Sequence, residues 1–174
     1  MIGAEKVPAR DAAEIVALAK KHGATVVGPS SVGLINPTHL LKIGAIGDAD
    51  PSAVYAPGPV AVLSKSGGMT SEISLHLRRN GLGVSWAVGI GGDRLIGSDF
   101  ADWLLALEDD PSTLVTVIFG ELGGTYEERA AKLIKSGRVK NPWSLLSPVN
   151  LPFSCRPKSS LATRGRLLRG KGGC

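Results

Sequence analysis

Three apolar segments of this 174-residue chain each run directly into a glycine-rich turn. The apolar segments are residues 60–63, 84–88 and 114–119; the turns are turn A (residues 64–68), turn B (89–93) and turn C (120–124). A helix-like pattern follows every turn. Unbroken apolar strands that alternate with amphipathic helices are typical of a parallel sheet covered on both faces. The sequence therefore predicts a doubly wound α/β fold.

The three helices have recognisable apolar or capping patterns. Met69, Ile73 and Leu77 share one face of a helix predicted over residues 69–80. Apolar residues at positions 100, 103, 104 and 107 predict the second helix. Thr125 and Glu128 have the spacing of a capping box, which predicts a third helix that runs to about residue 136.

The first 58 residues are less regular. Pro8 suits a first helical turn, and the helix is expected to end near Gly23. Residues 24–27 predict a short buried strand, which Gly28 and Pro29 terminate. Residues 29–58 contain Gly, Pro, Asn and Asp without a sustained period, so we expect a linker or an irregular lobe there.

The net charge of +5 is confined to one end of the chain. Residues 1–140 carry a net charge of −1, and residues 141–174 carry +6 together with both cysteines. Nucleic-acid binding by the body is therefore not expected; a basic tail that binds nucleic acid remains an alternative for residues 141–174. The sequence has no signal-peptide pattern and no apolar run of about 18 residues, so we expect a cytoplasmic protein without a membrane span.

The glycine-rich turns are the candidate ligand site. Turns that follow parallel strands meet at the carboxyl edge of the sheet, where open α/β folds bind ligands. Turn A leads into a helix, whose first N–H groups favour an anion. The candidate residues are Ser66, Gly67 and Gly68 in turn A, Gly91, Gly92 and Asp93 in turn B, and Glu121 in turn C. The alternative is that the glycines only form tight turns.

Other chemistry-bearing residues give weaker signals. His22, His39 and His76 have no acid and nucleophile at a useful spacing, so we expect structural roles for them. The sequence contains neither a CxxC nor an HExxH motif, and we expect no metal site.

Four strings, taken in order, resemble the α-subunit of succinyl-CoA synthetase and the homologous part of ATP-citrate lyase. They are GPSSVGLINP, PVAVLSKSGGMTSE, VGIGGDRLIGSDF and VIFGELGGTYEERAA. The resemblance runs from about residue 5 to residue 140. It implies a flavodoxin-like ligase domain over residues 59–140, preceded over residues 1–30 by the last helix and strand of a Rossmann-like CoA-binding domain. Residues 31–58 would then be a linker or irregular lobe.

The resemblance also implies roles for particular residues. Ser66, Gly67 and Gly68 match the loop that holds the phosphoryl group, and Gly91, Gly92 and Asp93 match a second loop of that site. Glu121 matches the glutamate that hydrogen-bonds a phosphohistidine. Ala4 and Glu5 match the last piece of the CoA site.

In the family this resemblance points to, a nucleoside triphosphate on a β-subunit, with Mg²⁺, phosphorylates a histidine. The phosphoryl group passes to a small carboxylic acid, and CoA then attacks the acyl phosphate. The implied partners are therefore a β-subunit, or a fused β-like region, and a small acid.

Four departures limit what this chain would do. The CoA-binding domain would precede Glu5 by roughly ninety residues, so we expect a truncated N-terminus. Ser71 replaces a tyrosine that touches substrate in succinyl-CoA synthetases, and the pairs Gly67-Gly68 and Asp93-Arg94 resemble the citrate-handling branch. The GHAGA motif of the phosphorylated histidine is absent. We expect a ligase fragment that is inactive alone; the alternatives are a citrate-type ligase and a non-catalytic anion-binding α/β module.

A shift of reading frame accounts for the missing histidine. With each codon's third base joined to the next two bases, residues 141–150 can read Pro-Val-Val-Ala-Phe-Ile-Ala-Gly-Lys. In the same frame, residues 161–167 can read Gly-His-Ala-Gly-Ala-Ile. We therefore hypothesise that residues 141–174, a basic segment outside the resemblance, are a frameshift product, which resequencing the gene would test.

Overall fold

A computed structural model describes residues 1–121 and 125–146 of the chain, with a six-stranded sheet and four α-helices in these ranges. In chain order the elements are α1 (Ala9–Lys21), β1 (Gly33–Asn36), β2 (Leu41–Ile43), a 3-10 helix (Pro51–Ala53), β3 (Pro57–Ser64), α2 (Gly67–Arg79), β4 (Val84–Gly89), α3 (Phe100–Glu108), β5 (Val115–Phe119), α4 (Tyr126–Lys135) and β6 (Trp143–Leu146).

Four neighbouring strands form the parallel part of the sheet. The full order is β2-β1-β4-β3-β5-β6, in which β4, β3, β5 and β6 run parallel. Numbered along the chain, these four strands have the order 2-1-3-4, as in flavodoxin-like folds. The predicted doubly wound α/β fold is confirmed.

The other edge of the sheet departs from the all-parallel expectation. β1 pairs antiparallel with β4, and β2 pairs antiparallel with β1. Both strands lie in the segment for which an irregular lobe was expected. β1 is four residues long and β2 three, too short for a hydrophobic period, so tertiary pairing rather than local pattern determines them.

The prediction of a strand over residues 24–27 is wrong. The structure assigns no strand there; the N–H of Ala24 instead closes the end of α1 by donating to the carbonyl of Ala19 at 2.8 Å. Val27 does accept a backbone hydrogen bond from Ile2 at 2.8 Å, but the contact does not extend into a ladder. An apolar run of four residues is compatible with either outcome.

The core has two halves, one on each face of the sheet. On one face, Leu63 and Ile118 from the strands pack with Phe100 and Leu104 of α3. On the other, Val62 and Ala87 pack with buried residues of the segment before β3 and with one face of α2. Alternate residues of β3 therefore serve opposite faces, as burial on both sides requires.

The capping box predicted at Thr125 is also wrong. Thr125 precedes α4 but makes no side-chain capping hydrogen bond, because its ψ of 14° is not the extended conformation of a capping residue. The structure has a capping box at α3 instead. There Asp99 accepts the N–H groups of Ala101 and Asp102, and Asp102 accepts that of Asp99.

The carboxylate of Asp110 stabilises the loop between α3 and β5. Asp110 accepts hydrogen bonds from Ser112, from Thr113 and from the indole of Trp86. Burial alone would raise the pKa of Asp110, but these hydrogen bonds outweigh it and hold the pKa below its ordinary value.

Across the described residues, no helix is both long and apolar enough to cross a membrane.

Candidate functional site

Turns A and C meet at the point where the sheet changes winding direction. β3 and β5 are neighbours, with α2 packed on one face of the sheet and α3 and α4 on the other. The N–H of Lys65, in turn A, donates to the carbonyl of Phe119 at 3.1 Å. Crevices at such switch points are the usual ligand sites of open α/β sheets.

Turn A presents the amino end of a 13-residue helix. Ser66 caps α2, with its Oγ accepting the N–H of Met69 at 3.4 Å. Gly67 faces Val32 so closely that a Cβ would lie 2.3 Å from Val32 Cγ1, whereas a Cβ on Gly68 would have no atom within 4 Å. Gly67 is therefore required by packing, and Gly68 lies open at the end of the helix, where backbone N–H groups lack intrahelical partners.

The glycines of turn B differ in the same way. Gly91 has φ +108°, and a Cβ there would lie 2.1 Å from the carbonyl oxygen of Pro29. The nearest atom to a Cβ on Gly92 is the carbonyl oxygen of Lys65, at 3.8 Å. Gly92 thus borders turn A and is exposed, and Asp93 beside it is half-buried. The glycine at 91 is explained by backbone packing against the segment that contains Pro29.

Two residues at the start of α4 connect the turns, and sequence reasoning missed both. Glu127 accepts the N–H of Glu121 at 3.3 Å on Oε1, and the same oxygen lies 3.9 Å from the ammonium of Lys65. Tyr126 donates its hydroxyl hydrogen to the carbonyl of Arg94 at 2.7 Å. The available signal was Lys65 in turn A, which directly follows β3 and lies two residues after the apolar run 60–63, where burial is expected.

A cleft of about 450 Å³ opens beside the amino end of α2. Its wall includes Gly68 and Ser71 of α2, the apolar side chains of Val32 and Val54, and Asp48. The Oγ of Ser71 lies 2.8 Å from the hydroxyl of Tyr55. Burial raises the pKa of Tyr55, with the Ser71 hydrogen bond opposing the shift, so the phenol is a neutral polar group next to the cleft.

The remaining predicted residues lie outside these turns. The carbonyl of Ala4 accepts the N–H of Ser30 at 2.9 Å, and Glu5 is exposed beside it. His22 and His39 are exposed, and His76 lies in the last turn of α2. Residues 122–124 of turn C fall outside the described ranges. Within those ranges, no group of three or more His, Cys, Asp or Glu side chains is arranged to hold a metal ion.

Comparison with known proteins decides the family. The CoA-ligase family model matches residues 63–149, which is half of the chain and contains turns A, B and C. This chain belongs to the CoA-ligase family.

Two curated proteins are similar to this CoA-ligase chain over at least three quarters of its length. The α subunit 2 of the ADP-forming succinate–CoA ligase of Archaeoglobus fulgidus is 42% identical over 133 residues, which cover 75% of this chain and 44% of that protein. The probable ATP-citrate synthase subunit 1 of Schizosaccharomyces pombe is 40% identical over 143 residues, which cover 80% of this chain and 23% of that protein. The chain thus spans less than half the length of these relatives.

A solved structure shares the fold of the CoA-ligase chain. The ATP citrate lyase of Methanothrix soehngenii, determined in complex with citrate and coenzyme A, superposes with a TM-score of 0.78 at 33% sequence identity. The match covers 84% of this chain and 24% of that one. The family resemblance inferred from the four sequence strings is confirmed.

A cavity larger than the cleft beside α2 lies away from the turns. It has a volume of about 540 Å³ between α1 and α3, and its wall includes Val16, Lys20, Trp103 and Arg129. None of the predicted site residues contributes to it. Size alone therefore does not identify the site; the convergence of the turns does.

Proposed function

We propose that the carboxyl edge of this sheet is the phosphoryl-binding part of an acid–CoA ligase α-subunit. The observation that carries the proposal is the meeting of turns A and C at the switch point, inside the segment that matches the CoA-ligase family. The wider reaction would join a small carboxylic acid to CoA at the expense of a nucleoside triphosphate.

The residues of turn A are suited to an oxyanion. Gly67 and Gly68 are the first residues of α2, so their N–H groups point away from the helix body and carry its positive end. Ser66 fixes this end by capping it. Gly68 leaves the approach open because no atom lies within 4 Å of the position a Cβ would take. The proposal assigns phosphoryl binding to Ser66, Gly67 and Gly68, with Gly92 and Asp93 at the border.

Glu121 would act on the phosphorylated histidine rather than on the phosphoryl group. A carboxylate that accepts an imidazole N–H fixes the ring's orientation and leaves the other nitrogen to carry the phosphoryl group. The backbone N–H of Glu121 itself donates to Glu127, which holds it in turn C. The supporting observation is that turn C lies next to turn A, where the phosphoryl group would be bound.

The proposal extends beyond the turns to the other parts of the reaction. The proposal includes a β-subunit or a fused β-like region that binds the nucleoside triphosphate with Mg²⁺, and a cytoplasmic location. Ala4 and Glu5 would contribute only the end of a CoA site. The proposed limits are 1–30 for a CoA-binding remnant, 31–58 for a linker that supplies β1 and β2, 59–140 for the ligase domain and 141–174 for the tail.

This chain is proposed to be inactive on its own. Its three histidines are His22, His39 and His76, and none stands in a GHAGA motif. His76 lies ten residues beyond Ser66 along α2, roughly 15 Å from the amino end of the helix. The family match and β6 both extend past residue 140, to residues 149 and 146 respectively, so both overlap the start of the segment hypothesised to be a frameshift product.

A citrate-type ligase, with citrate as the acid substrate, is the second candidate function. The observation that favours it is the cleft beside α2, where Ser71 occupies a wall position and leaves about 450 Å³ of space. A bulky side chain at position 71 would fill part of that volume. An acyl-hydroxamate assay with succinate against citrate on the frame-restored, full-length protein would distinguish the two acids.

Gly68→Ala tests the proposed anion site. The new methyl group has room in the folded chain, and alanine is the better helix former, so we expect a melting temperature equal to or above that of the unsubstituted protein. The methyl would project at the open end of α2, and we expect phosphate affinity to fall about tenfold, which corresponds to roughly 1.4 kcal/mol. Calorimetric titration with inorganic phosphate measures the change.

Asn80→Ala, at the opposite end of α2, is the matched control and should leave phosphate affinity unchanged. Equal phosphate affinity in Gly68→Ala and the unsubstituted chain would contradict the site, and so would an equal loss in both variants.

A further inference from the structure

A buried lysine lies between turns A and C. Lys65 directly follows β3, and only 4% of its side chain is exposed. Burial of an ammonium group is unfavourable unless the charge is compensated. Its Nζ lies 3.9 Å from Glu127 Oε1 and 5.8 Å from the centre of the Tyr126 ring. The first two residues of α4 therefore both face the buried charge.

The carboxylate of Glu127 lies directly against the backbone of turn C. Its Oε1, the atom that faces Lys65, accepts the N–H of Glu121 at 3.3 Å. A Cβ on Gly120 would lie 2.8 Å from the same oxygen, so a larger residue at position 120 would push the Glu127 carboxylate aside. One oxygen atom thus connects the buried ammonium to the backbone that carries the Glu121 side chain.

Tyr126 makes the corresponding connection to the segment after turn B. Its hydroxyl donates to the carbonyl of Arg94 at 2.7 Å and accepts the N–H of Ile96 at 3.2 Å. An ammonium near an aromatic ring is attracted to it by the ring quadrupole. Lys65, from turn A, is thereby in contact with the two residues that hold the other two loops.

We propose that Lys65 is a positioning residue that fixes the backbone of Glu121 through the carboxylate of Glu127. The lysine contacts no substrate in this role. It keeps the carboxylate oxygen directed at the Glu121 N–H, and the resulting charge-assisted hydrogen bond sets where the Glu121 side chain begins. Its consequence for phosphohistidine chemistry rests on the proposed function; the positioning itself does not.

Amide hydrogen exchange at Glu121 in the full 174-residue chain, followed by NMR, tests the proposal. In Lys65→Met we expect exchange at Glu121 to accelerate about tenfold, as loss of a hydrogen bond to a charged group implies. Removal of a nearby cation would by itself slow hydroxide-catalysed exchange, so an acceleration cannot be a simple charge effect. Lys65→Arg keeps the cation and should restore exchange to within about twofold of the unsubstituted rate.

Glu127→Gln provides an independent variant at the other end of the contact. We expect a similar acceleration of about tenfold at Glu121. Glu128→Gln removes the same charge from the same turn of α4 and is the matched control, with no expected change at Glu121. Unchanged exchange in both Lys65→Met and Glu127→Gln would overturn the proposal, as would equal exchange rates in Lys65→Arg and Lys65→Met.

Titration of the unsubstituted chain with inorganic phosphate separates this proposal from the proposed function. Suppose phosphate changes the NMR chemical shifts of the Gly67 and Gly68 amides while Glu121 exchange is unchanged in the variants. That result would refute the positioning role and leave the anion site standing. Accelerated exchange in the variants without any phosphate binding would support the positioning role and contradict the anion site.

Discussion

Gly91→Ala is expected to destabilise the fold by about 3 kcal/mol, the largest effect among single glycine substitutions in the predicted site. Two causes add. The φ of +108° is a conformation that residues with a Cβ rarely adopt, and the new Cβ would lie 2.1 Å from the carbonyl oxygen of Pro29. That oxygen belongs to the backbone, so relief requires movement of the chain around Pro29. Urea unfolding measures the difference in the free energy of unfolding.

Gly92→Ala is the matched control for this prediction. It adds the same methyl group one residue later, where the nearest atom is 3.8 Å away, and should change the free energy of unfolding by less than about 0.5 kcal/mol. Equal effects of the two substitutions would show that turn B is not packed against Pro29 as described.

Asp99→Ala is expected to be the second large effect, at about 3 kcal/mol. The Asp99 side chain is 4% exposed and accepts two backbone N–H groups at the start of α3. It also binds Arg129 of α4 at 2.6 Å, which ties the two helices together. The substitution removes the cap and one partner of the guanidinium at once.

The matched control for Asp99→Ala is Asp102→Ala. Asp102 binds the same Arg129, at 2.8 Å, and accepts the N–H of Asp99, but its side chain is 40% exposed, so we expect a smaller loss of about 1 kcal/mol. The guanidinium of Arg129 donates hydrogen bonds to both Asp102 and Asp99. These bonds hold the pKa of Arg129 above its usual value, so its side chain stays charged at any working pH. Thermal unfolding of both variants checks the order of the effects.

The parallel half of the fold was predictable because its strands are unbroken apolar runs. β4 was predicted over 84–88 and extends over Val84–Gly89; α2 was predicted over 69–80 and extends over Gly67–Arg79. β1 and β2 were not predictable. Asn36 ends the short apolar run of β1 and Lys42 interrupts that of β2, and pairing with neighbouring strands is what makes these segments strands.

The candidate site was predicted in part. Alternating strands and helices predict parallel strands, and parallel strands place the turns that follow them at the same edge of the sheet. The different roles of Gly91 and Gly92 could not be predicted from the sequence, because they depend on how closely the Pro29 backbone approaches each residue in space. The contact between Lys65 and Glu127 joins residues 62 positions apart, and no local pattern signals it.

Phosphotransfer to the chain tests the central claim most directly. The protein would be incubated with ATP, Mg²⁺ and a ligase β-subunit, and acid-labile phosphate would be located by peptide mapping. The account predicts no phosphohistidine on the chain as sequenced. It predicts phosphohistidine in the frame-restored chain, at the histidine encoded across the codons of residues 162 and 163. Phosphate on His22, His39 or His76, or none on the frame-restored chain, would contradict it.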